Sequence, residues 1–310
     1  MENYLIAMCV SAGIYALMAL GVNVVWGFAG MVNLGLVGFF AVGAYTSALL
    51  TLKAHWAIAG GMAAAAAVAA LVGTIVALIT VRLRGDYLAI VTLGFAETIR
   101  IVASNAIGLT NGTDGLSGIP GPGRGRLSPE MFNLVYLAIV AVVVAAAYVA
   151  NERLRASPFG RVLRAIRDDE QVAAVAGKHV TLFKVKAFAI SSAALGLAGA
   201  LYAHYTSYIA PDIFVPLLTL YIKLALLAGG LGNNRGAIVG AFAVVFLLES
   251  TRFVVPFVPG ITPVQGAAIR EFLIAAFLLM MLRYKPSGLV PETTTRLPLP
   301  QSASRYQPTA

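Results

Sequence analysis

The chain alternates long apolar runs with short polar segments, and this alternation predicts its architecture. A run of about 20 apolar residues is needed to cross a bilayer as a helix, and about nine runs qualify. They are placed at residues 4–26, 34–52, 57–80, 87–105, 131–150, 187–208, 214–231, 236–255 and 266–283. The pattern predicts an all-α integral membrane protein, a polytopic bundle of about nine transmembrane helices. An odd number of spans puts the two termini on opposite sides of the membrane.

Composition and charge agree with a membrane protein. The chain is 59% hydrophobic and only 11% charged, whereas a soluble domain has about 25% charged residues. Its net charge is +9, but the basic residues flank apolar runs, so we predict no nucleic-acid partner. Fifteen Lys and Arg residues fall in segments on the side of the central polar loop, against four on the other side. Because basic residues concentrate in cytoplasmic loops, the N-terminus is predicted outside and the C-terminus in the cytoplasm.

The longest hydrophilic interruption between the apolar halves covers residues 151–186. Ser157 is a candidate N-cap for an amphipathic helix that begins with a proline. Asp168 or Asp169 is a candidate N-cap for a second, short helix that Gly177 would end in a left-handed conformation. Charge alone is explained by a solvated cytoplasmic loop. The two capped helices with small residues at the tip favour a docking surface for a partner.

Other segments divide the chain further. The predicted outer loop at residues 106–130 is rich in Gly and Pro and is either a flexible linker or an ordered gate or partner contact at the mouth. Glycine-rich stretches at residues 27–40 and 226–240 predict interrupted helices, which membrane proteins tolerate around cavities. We therefore predict a transmembrane domain over residues 1–285 and a disordered, Pro-rich tail over residues 286–310.

Motifs for chemistry are absent from the sequence. It contains no phosphate-binding P-loop, and its three histidines have no metal-ligand spacing. We predict no enzyme activity, no cofactor and no metal site. Charges within the spans are the remaining candidates: Glu97 and Arg100 share one helix face as a structural or gating pair, and Lys223 has no acid nearby. A proton-coupled carrier would hold more carboxylates at depth, so transport is predicted to need an outside energy source.

Several motifs together resemble the inner-membrane permease subunits of ATP-binding cassette (ABC) importers for branched-chain amino acids, of the LivM type. The resemblance covers residues from about 20 to about 290. It rests on GFAGMVNLGLVGFFAVGAY at 27–45, RGDYLAIVTLGFAETIRIVASN at 84–105, LTNGTDGLSGIP at 109–120, FGRVLRAIRDDEQVAAVAG at 159–177, GGLGNNRGAIVGA at 229–241 and YKPSGLV at 284–290. The fold implied is a type II ABC importer permease-like bundle.

The resemblance implies a location, a substrate and partners. The location is the bacterial inner membrane, and the substrates are leucine, isoleucine and valine. The partners are a second permease subunit of the LivH type, two ABC ATPase subunits and a periplasmic substrate-binding protein. The alternatives are an ABC permease for urea, short amides or other amino acids, and an ATPase-independent secondary carrier or channel. Uptake competition between leucine and urea distinguishes the first alternative from a permease for branched-chain amino acids.

Site residues follow from the same resemblance. The polar loop at 151–186 becomes the loop that couples the permease to its ATPases. The coupling residues implied are Asp168, Asp169, Glu170, Ala173, Ala174 and Gly177. For the substrate path the candidates are Asn33, Tyr45, Thr113 and Asp114, which packing or capping would explain equally well.

Overall fold

The computed structural model describes residues 2–80, 82–83, 85–254, 263–285 and 287–292. This part of the chain contains twelve α-helices and two short strands. The helices are α1 Glu2–Val22, α2 Leu36–Leu52, α3 Ile58–Thr80, α4 Asp86–Asn105, α5 Ile107–Thr110, α6 Pro129–Ala156, α7 Pro158–Asp168, α8 Glu170–Val175, α9 Val180–Thr206, α10 Pro216–Gly229, α11 Asn234–Val254 and α12 Pro263–Tyr284. The strands β1 Leu116–Ser117 and β2 Tyr208–Ile209 pair antiparallel.

Six helical segments among the described residues are long and apolar enough to cross a membrane, which indicates a multi-pass helical membrane protein. They are Asn3–Phe28, Ile58–Thr80, Asp86–Asn105, Pro129–Ala156, Val180–Thr206 and Pro211–Gly229. Helix α2 is apolar but shorter. Every span predicted from sequence overlaps one of the helices, and only the last residue of the 236–255 span lies outside the described residues. The count of nine membrane crossings stays a prediction.

The long helix α9 forms the centre of the bundle and packs closely against α2 and α3. A Cβ atom added at Gly43 of α2 would lie 2.1 Å from the carbonyl oxygen of Gly196 in α9. A Cβ added at Gly199 would lie 2.0 Å from the carbonyl oxygen of Phe40. The two backbones are therefore in direct contact, and only glycine fits at these crossings. This is how membrane helices gain packing energy without a hydrophobic drive between them.

Both glycine-rich interruptions predicted from sequence are present, and the fold brings them together. Helix α1 continues as a π-helix over Asn23–Phe28 and is followed by non-helical residues up to Gly35. Helix α10 ends before a turn that contains Gly230 and Gly232, both with positive φ. The backbone N–H of Gly232 donates to the Asn23 Oδ1 at 2.9 Å, and the Asn23 Nδ2 donates to the Asn234 Oδ1 at 2.9 Å. One buried asparagine thus joins the two breaks.

The long loop before α6 is folded onto the bundle and is not an open linker. Strand β1 within it pairs with β2, which follows α9. The buried ring of His204 in α9 lies 2.7 Å from the Pro120 carbonyl oxygen and 2.8 Å from the Ser47 hydroxyl. A carbonyl only accepts, so Nδ1 carries the proton and Nε2 accepts from the serine. We call this end of the bundle, where the distant strands β1 and β2 pair, the hairpin end.

The opposite end carries α7 and α8 and is called the loop end. Near the hairpin end, Asn3 donates to the Glu130 carboxylate at 2.8 Å. Residues 287–292 pack at the loop end, where the Leu289 N–H donates to the Ala228 carbonyl at 2.9 Å. The packed chain therefore extends beyond the predicted boundary at residue 285, while Pro286 and residues 293–310 of the predicted tail lie outside the described residues.

Candidate functional site

The polar segment at the loop end folds as two helices, α7 and α8. The loop between the long helices is shorter than the predicted 151–186, because α6 continues to Ala156 and α9 already begins at Val180. The Ser157 hydroxyl caps α7 by accepting the Gly160 N–H at 3.2 Å. Helix α7 packs its apolar face on the bundle, where the Phe159 ring stacks on the Phe183 ring of α9 at 5.3 Å. This face packs the loop against the membrane helices.

Helix α8 is a short helix that follows α7 directly and is capped at both ends. The Asp169 carboxylate accepts the backbone N–H groups of Gln171 at 2.8 Å and of Val172 at 3.0 Å. Gly177 adopts a φ of 76°, and the following N–H donates to the Ala173 carbonyl at 3.2 Å. A left-handed residue that directs the next N–H back into the last turn is a common helix C-terminus. The capping predicted from sequence is confirmed at both ends.

The six predicted coupling residues differ in how far they are available to a partner. Ala173 is only 4% exposed, and the Glu170 carboxylate is held by the Lys184 ammonium of α9 at 2.7 Å. These contacts fasten α8 to α9. Asp168, Ala174 and Gly177 are exposed. The coupling role of the six stays a prediction, but the structure gives some of them an internal contact and leaves others open.

Two valines on α8 were not among the residues singled out from sequence. Val172 is 64% exposed and Val175 is 90% exposed. With Ala174 and Ala176 they form an apolar tip on an otherwise charged loop. An exposed apolar patch on a polar surface is a candidate for contact with another protein. The signal in the sequence was the pair of valines three residues apart, which place both side chains on neighbouring positions of one helix face.

A cavity of about 420 Å³ lies beside these helices at the loop end. Its walls come from the non-helical link after α1, from the start of α4 and from the junction of α7 and α8. Both signs of charge line it, with Arg167 and Lys184 on one hand and Asp168 and Glu170 on the other. The cavity lies between the α7–α8 junction and the link that follows the break in α1, so displacement of one changes the space available to the other.

The predicted path residues do not gather into one site. Asn33 is buried before the start of α2, and its Oδ1 accepts the Gly35 N–H at 2.7 Å. Tyr45 lies about 13 Å along α2, at 1.5 Å per residue. Neither the Asn33 amide nitrogen nor the Tyr45 hydroxyl has a hydrogen-bond partner among the described residues. Thr113 and Asp114 are exposed at the hairpin end. The path role of all four residues stays a prediction.

The described residues contain no cluster of His, Cys, Asp or Glu able to hold a metal ion.

The three charges singled out within the predicted spans, Glu97, Arg100 and Lys223, have partners. Arg100 Nε donates to both carboxylate oxygens of Glu97, at 3.0 and 3.1 Å, which confirms the predicted local pair. Lys223 is buried in α10, and its ammonium lies 4.8 Å from the ring centroid of Trp26 in the π-helical turn. A cation over an indole face is attracted by the ring quadrupole. The partner of Lys223 was missed because Trp26 is distant in sequence.

Comparison with known proteins places these features in a family. Residues 4–282 match the family described as branched-chain amino acid transport system / permease component. The Escherichia coli (strain K12) high-affinity branched-chain amino acid transport system permease protein LivM is 33% identical, over 94% of this chain and 71% of that protein. The probable LivM permease of Methanocaldococcus jannaschii is 32% identical, over 90% and 91%.

A second type of permease is also similar. The LivH permease of the high-affinity branched-chain amino acid system of Salmonella typhimurium is 26% identical, over 73% of this chain and 78% of that protein. The chain is thus similar to both LivM and LivH permeases, with higher identity to LivM. No solved structure matches the chain significantly.

Proposed function

Since the chain belongs to the family of branched-chain amino acid transport system permease components, we propose that it is the transmembrane permease subunit of an ABC importer. The cargo is leucine, isoleucine and valine, and the membrane is the bacterial inner membrane. The chain itself provides the passage and no catalysis. ATP hydrolysis belongs to two separate ATPase subunits.

The observation that best supports this function is the exposed apolar tip of α8. The tip stands at one end of a membrane bundle, on a helix fastened to the bundle by the pair of Glu170 and Lys184. A short, rigidly held helix can seat in a groove of an ATPase and transmit its motion as a rigid body. Asp168, Asp169, Ala173, Ala174 and Gly177 form or support this contact surface. The sequence provides no ATP-binding loop of its own.

The orientation proposed places the loop end in the cytoplasm and the hairpin end outside, with nine membrane crossings. The excess of Lys and Arg at the loop end supports it. The positions of Asn3 near the hairpin end and of residues 287–292 at the loop end agree with an odd number of crossings. Residues 1–285 are then the transmembrane permease domain.

The partners proposed are a second permease of the LivH type and a periplasmic substrate-binding protein. The similarity of the chain to LivH permeases supports a pair of related permeases that enclose one path. The folded loop at the hairpin end, which contains Thr113 and Asp114, is the surface that meets the binding protein. Asn33 and Tyr45, each with a buried polar atom that lacks a partner among the described residues, contribute polar groups to the path.

The experiment is affinity purification of the tagged chain from its host in a mild detergent, followed by mass spectrometry and transport assays in proteoliposomes. We expect two P-loop ATPases and a second permease to co-purify, and we expect ATP-dependent uptake of labelled leucine that unlabelled urea does not inhibit. A chain that purifies alone and still transports would establish a secondary carrier instead. ATP-dependent uptake of labelled urea, with no uptake of leucine, would establish a urea or amide permease.

A further inference from the structure

One arginine joins α7 to two other elements at the loop end. Arg167 lies in the last turn of α7, next to the junction with α8. Its Nη1 donates to the Gly27 carbonyl oxygen at 2.6 Å and to the Glu292 Oε2 at 3.0 Å. Gly27 belongs to the π-helical break of α1, and Glu292 ends the described C-terminal segment. The two side chains are 22% and 18% exposed, so solvent screens this pair less than an ordinary surface pair.

The C-terminal segment is itself fastened to the turn between α10 and α11. The N–H groups of Leu289 and Val290 donate to the carbonyls of Ala228 and Gly229, each at 2.9 Å. A Cβ atom added at Gly232 would lie 2.7 Å from the Glu292 carboxyl group. The segment therefore packs along the turn, and the Glu292 carboxylate lies directly against Gly232.

The same turn is bound to the break in α1 from the other side. The Gly232 N–H donates to the buried Asn23 in the π-helical turn at 2.9 Å. Asn234 at the start of α11 donates to the Glu152 carboxylate of α6 at 3.0 Å. The α1 break, the α10–α11 turn, the C-terminal segment and α7 thus form one hydrogen-bonded unit, and Arg167 is the member nearest to the docking helix.

Broken helices are the elements of a membrane bundle that can change direction without unfolding a whole span. Arg167 bonds to one such break directly and to the second through Glu292. We propose that Arg167 and Glu292 are positioning residues that transmit displacement of α8 to the broken helix α1 and to the α10–α11 turn. The proposal rests on the proposed function and gives a role to the YKPSGLV and GGLGNNRG motifs, which the docking surface does not use.

The test compares Arg167→Gln, Glu292→Gln and the double variant with a matched control, Arg161→Gln. Arg161 is an exposed arginine of the same helix, and among the described residues its Nη1 donates to the Ala156 carbonyl just before α7. Each variant is purified as the full complex and placed in proteoliposomes, where leucine uptake and ATP hydrolysis are measured together. The quantity that decides is leucine imported per ATP hydrolysed, which a merely less stable complex would not change.

We expect this ratio to fall about tenfold in each single variant, with the double variant no worse than either single one, because the two residues act through one contact. Arg161→Gln should keep the wild-type ratio, and all variants should retain their ATPases. Wild-type ratios in both single variants would overturn the proposal. So would effects that multiply in the double variant, or loss of the ATPases from Arg167→Gln, which would make it a docking residue.

A second measurement separates this proposal from the proposed function. Amide hydrogen exchange of the purified chain alone, in detergent, requires neither ATPase nor substrate. We expect Arg167→Gln and Glu292→Gln to speed exchange at residues 23–28 and 289–290 relative to Arg161→Gln. Unchanged exchange would show that the contact does not hold the breaks together. If instead the wild-type complex fails to import leucine while exchange responds as expected, the proposed transport function is wrong, but the Arg167–Glu292 contact still holds the two breaks together.

Discussion

Replacement of Val175 by aspartate tests whether the apolar tip of α8 contacts an ATPase subunit. Val175 is 90% exposed in the isolated chain, so its side chain contributes almost nothing to folding. A substitution at such a position changes the stability of the chain by about 0.5 kcal/mol or less. The helix itself keeps its cap at Asp169 and its end at Gly177. Any large effect of Val175→Asp must therefore come from a contact made only in the complex.

The size of the effect follows from the area that docking would cover. Full burial of a valine side chain is worth about 1.5 kcal/mol or more. Loss of that burial weakens binding roughly tenfold. A carboxylate forced into the apolar groove adds a desolvation penalty of about 2 kcal/mol or more. We therefore expect the affinity of the permease for its ATPases to fall by roughly a hundredfold or more.

The assay is titration of purified ATPase onto the permease in nanodiscs, together with leucine uptake. Ala165→Asp is the control, because it introduces the same carboxylate at an exposed position of α7. It should bind as the wild type does. Undiminished binding by Val175→Asp, or an equal loss from Ala165→Asp, would refute the assignment of α8 as the docking helix.

Three further predictions concern the membrane bundle and are tested by thermal unfolding in detergent. Gly43→Val should destabilise the chain by about 3 kcal/mol, because its Cβ would lie 2.1 Å from a carbonyl oxygen of α9, whereas Gly94→Val, with no heavy atom within 4 Å, should change little. Trp26→Leu should cost about 2 kcal/mol by exposing the buried Lys223 ammonium to an apolar surrounding, and Lys223→Met in that background should recover most of the loss. Glu97→Gln should lower the stability of the chain by about 1 kcal/mol, because it leaves the Arg100 charge unpaired, and removal of the Arg100 charge as well should restore that stability. Equal melting temperatures for the two glycine variants would contradict the close contact at Gly43. A lack of recovery by Lys223→Met would contradict the contact of Lys223 with Trp26. A variant that lacks both charges and is less stable than Glu97→Gln would contradict the Glu97–Arg100 pair.

Local signals in the sequence predicted the local structure well. Ser157, Asp169 and Gly177 cap helices through hydrogen bonds of backbone groups within four residues. The same short stretch of sequence therefore predicts both the cap and its helix. The ion pair of Glu97 and Arg100 follows from helical spacing in the same way. The positions of the spans and of the two helix breaks depend on apolar run length and on glycine, which are also local properties.

Contacts between distant segments could not be read from the sequence. Glu170 was expected to face a partner, but the fold places the Lys184 ammonium against it. Lys223 had no local acid, and the fold supplies an indole ring instead. The long outer loop is ordered because β2, which follows α9, gives β1 a strand to pair with. The contact of Glu170 depends on the turn that folds α8 back against α9. The other two contacts depend on the path of the helices that lie between their partners.

The sequence by itself therefore determined the fold class, the helices, their caps and breaks, and the family, because each is encoded in short-range spacing or in motifs. Tertiary structure alone decided which breaks meet, which side chains from different helices pair and which residues of the loop that holds α7 and α8 remain open. The bond from Arg167 to the Gly27 carbonyl shows why. An arginine side chain can reach any carbonyl of suitable geometry, and only the packing of α7 on the bundle selects that one.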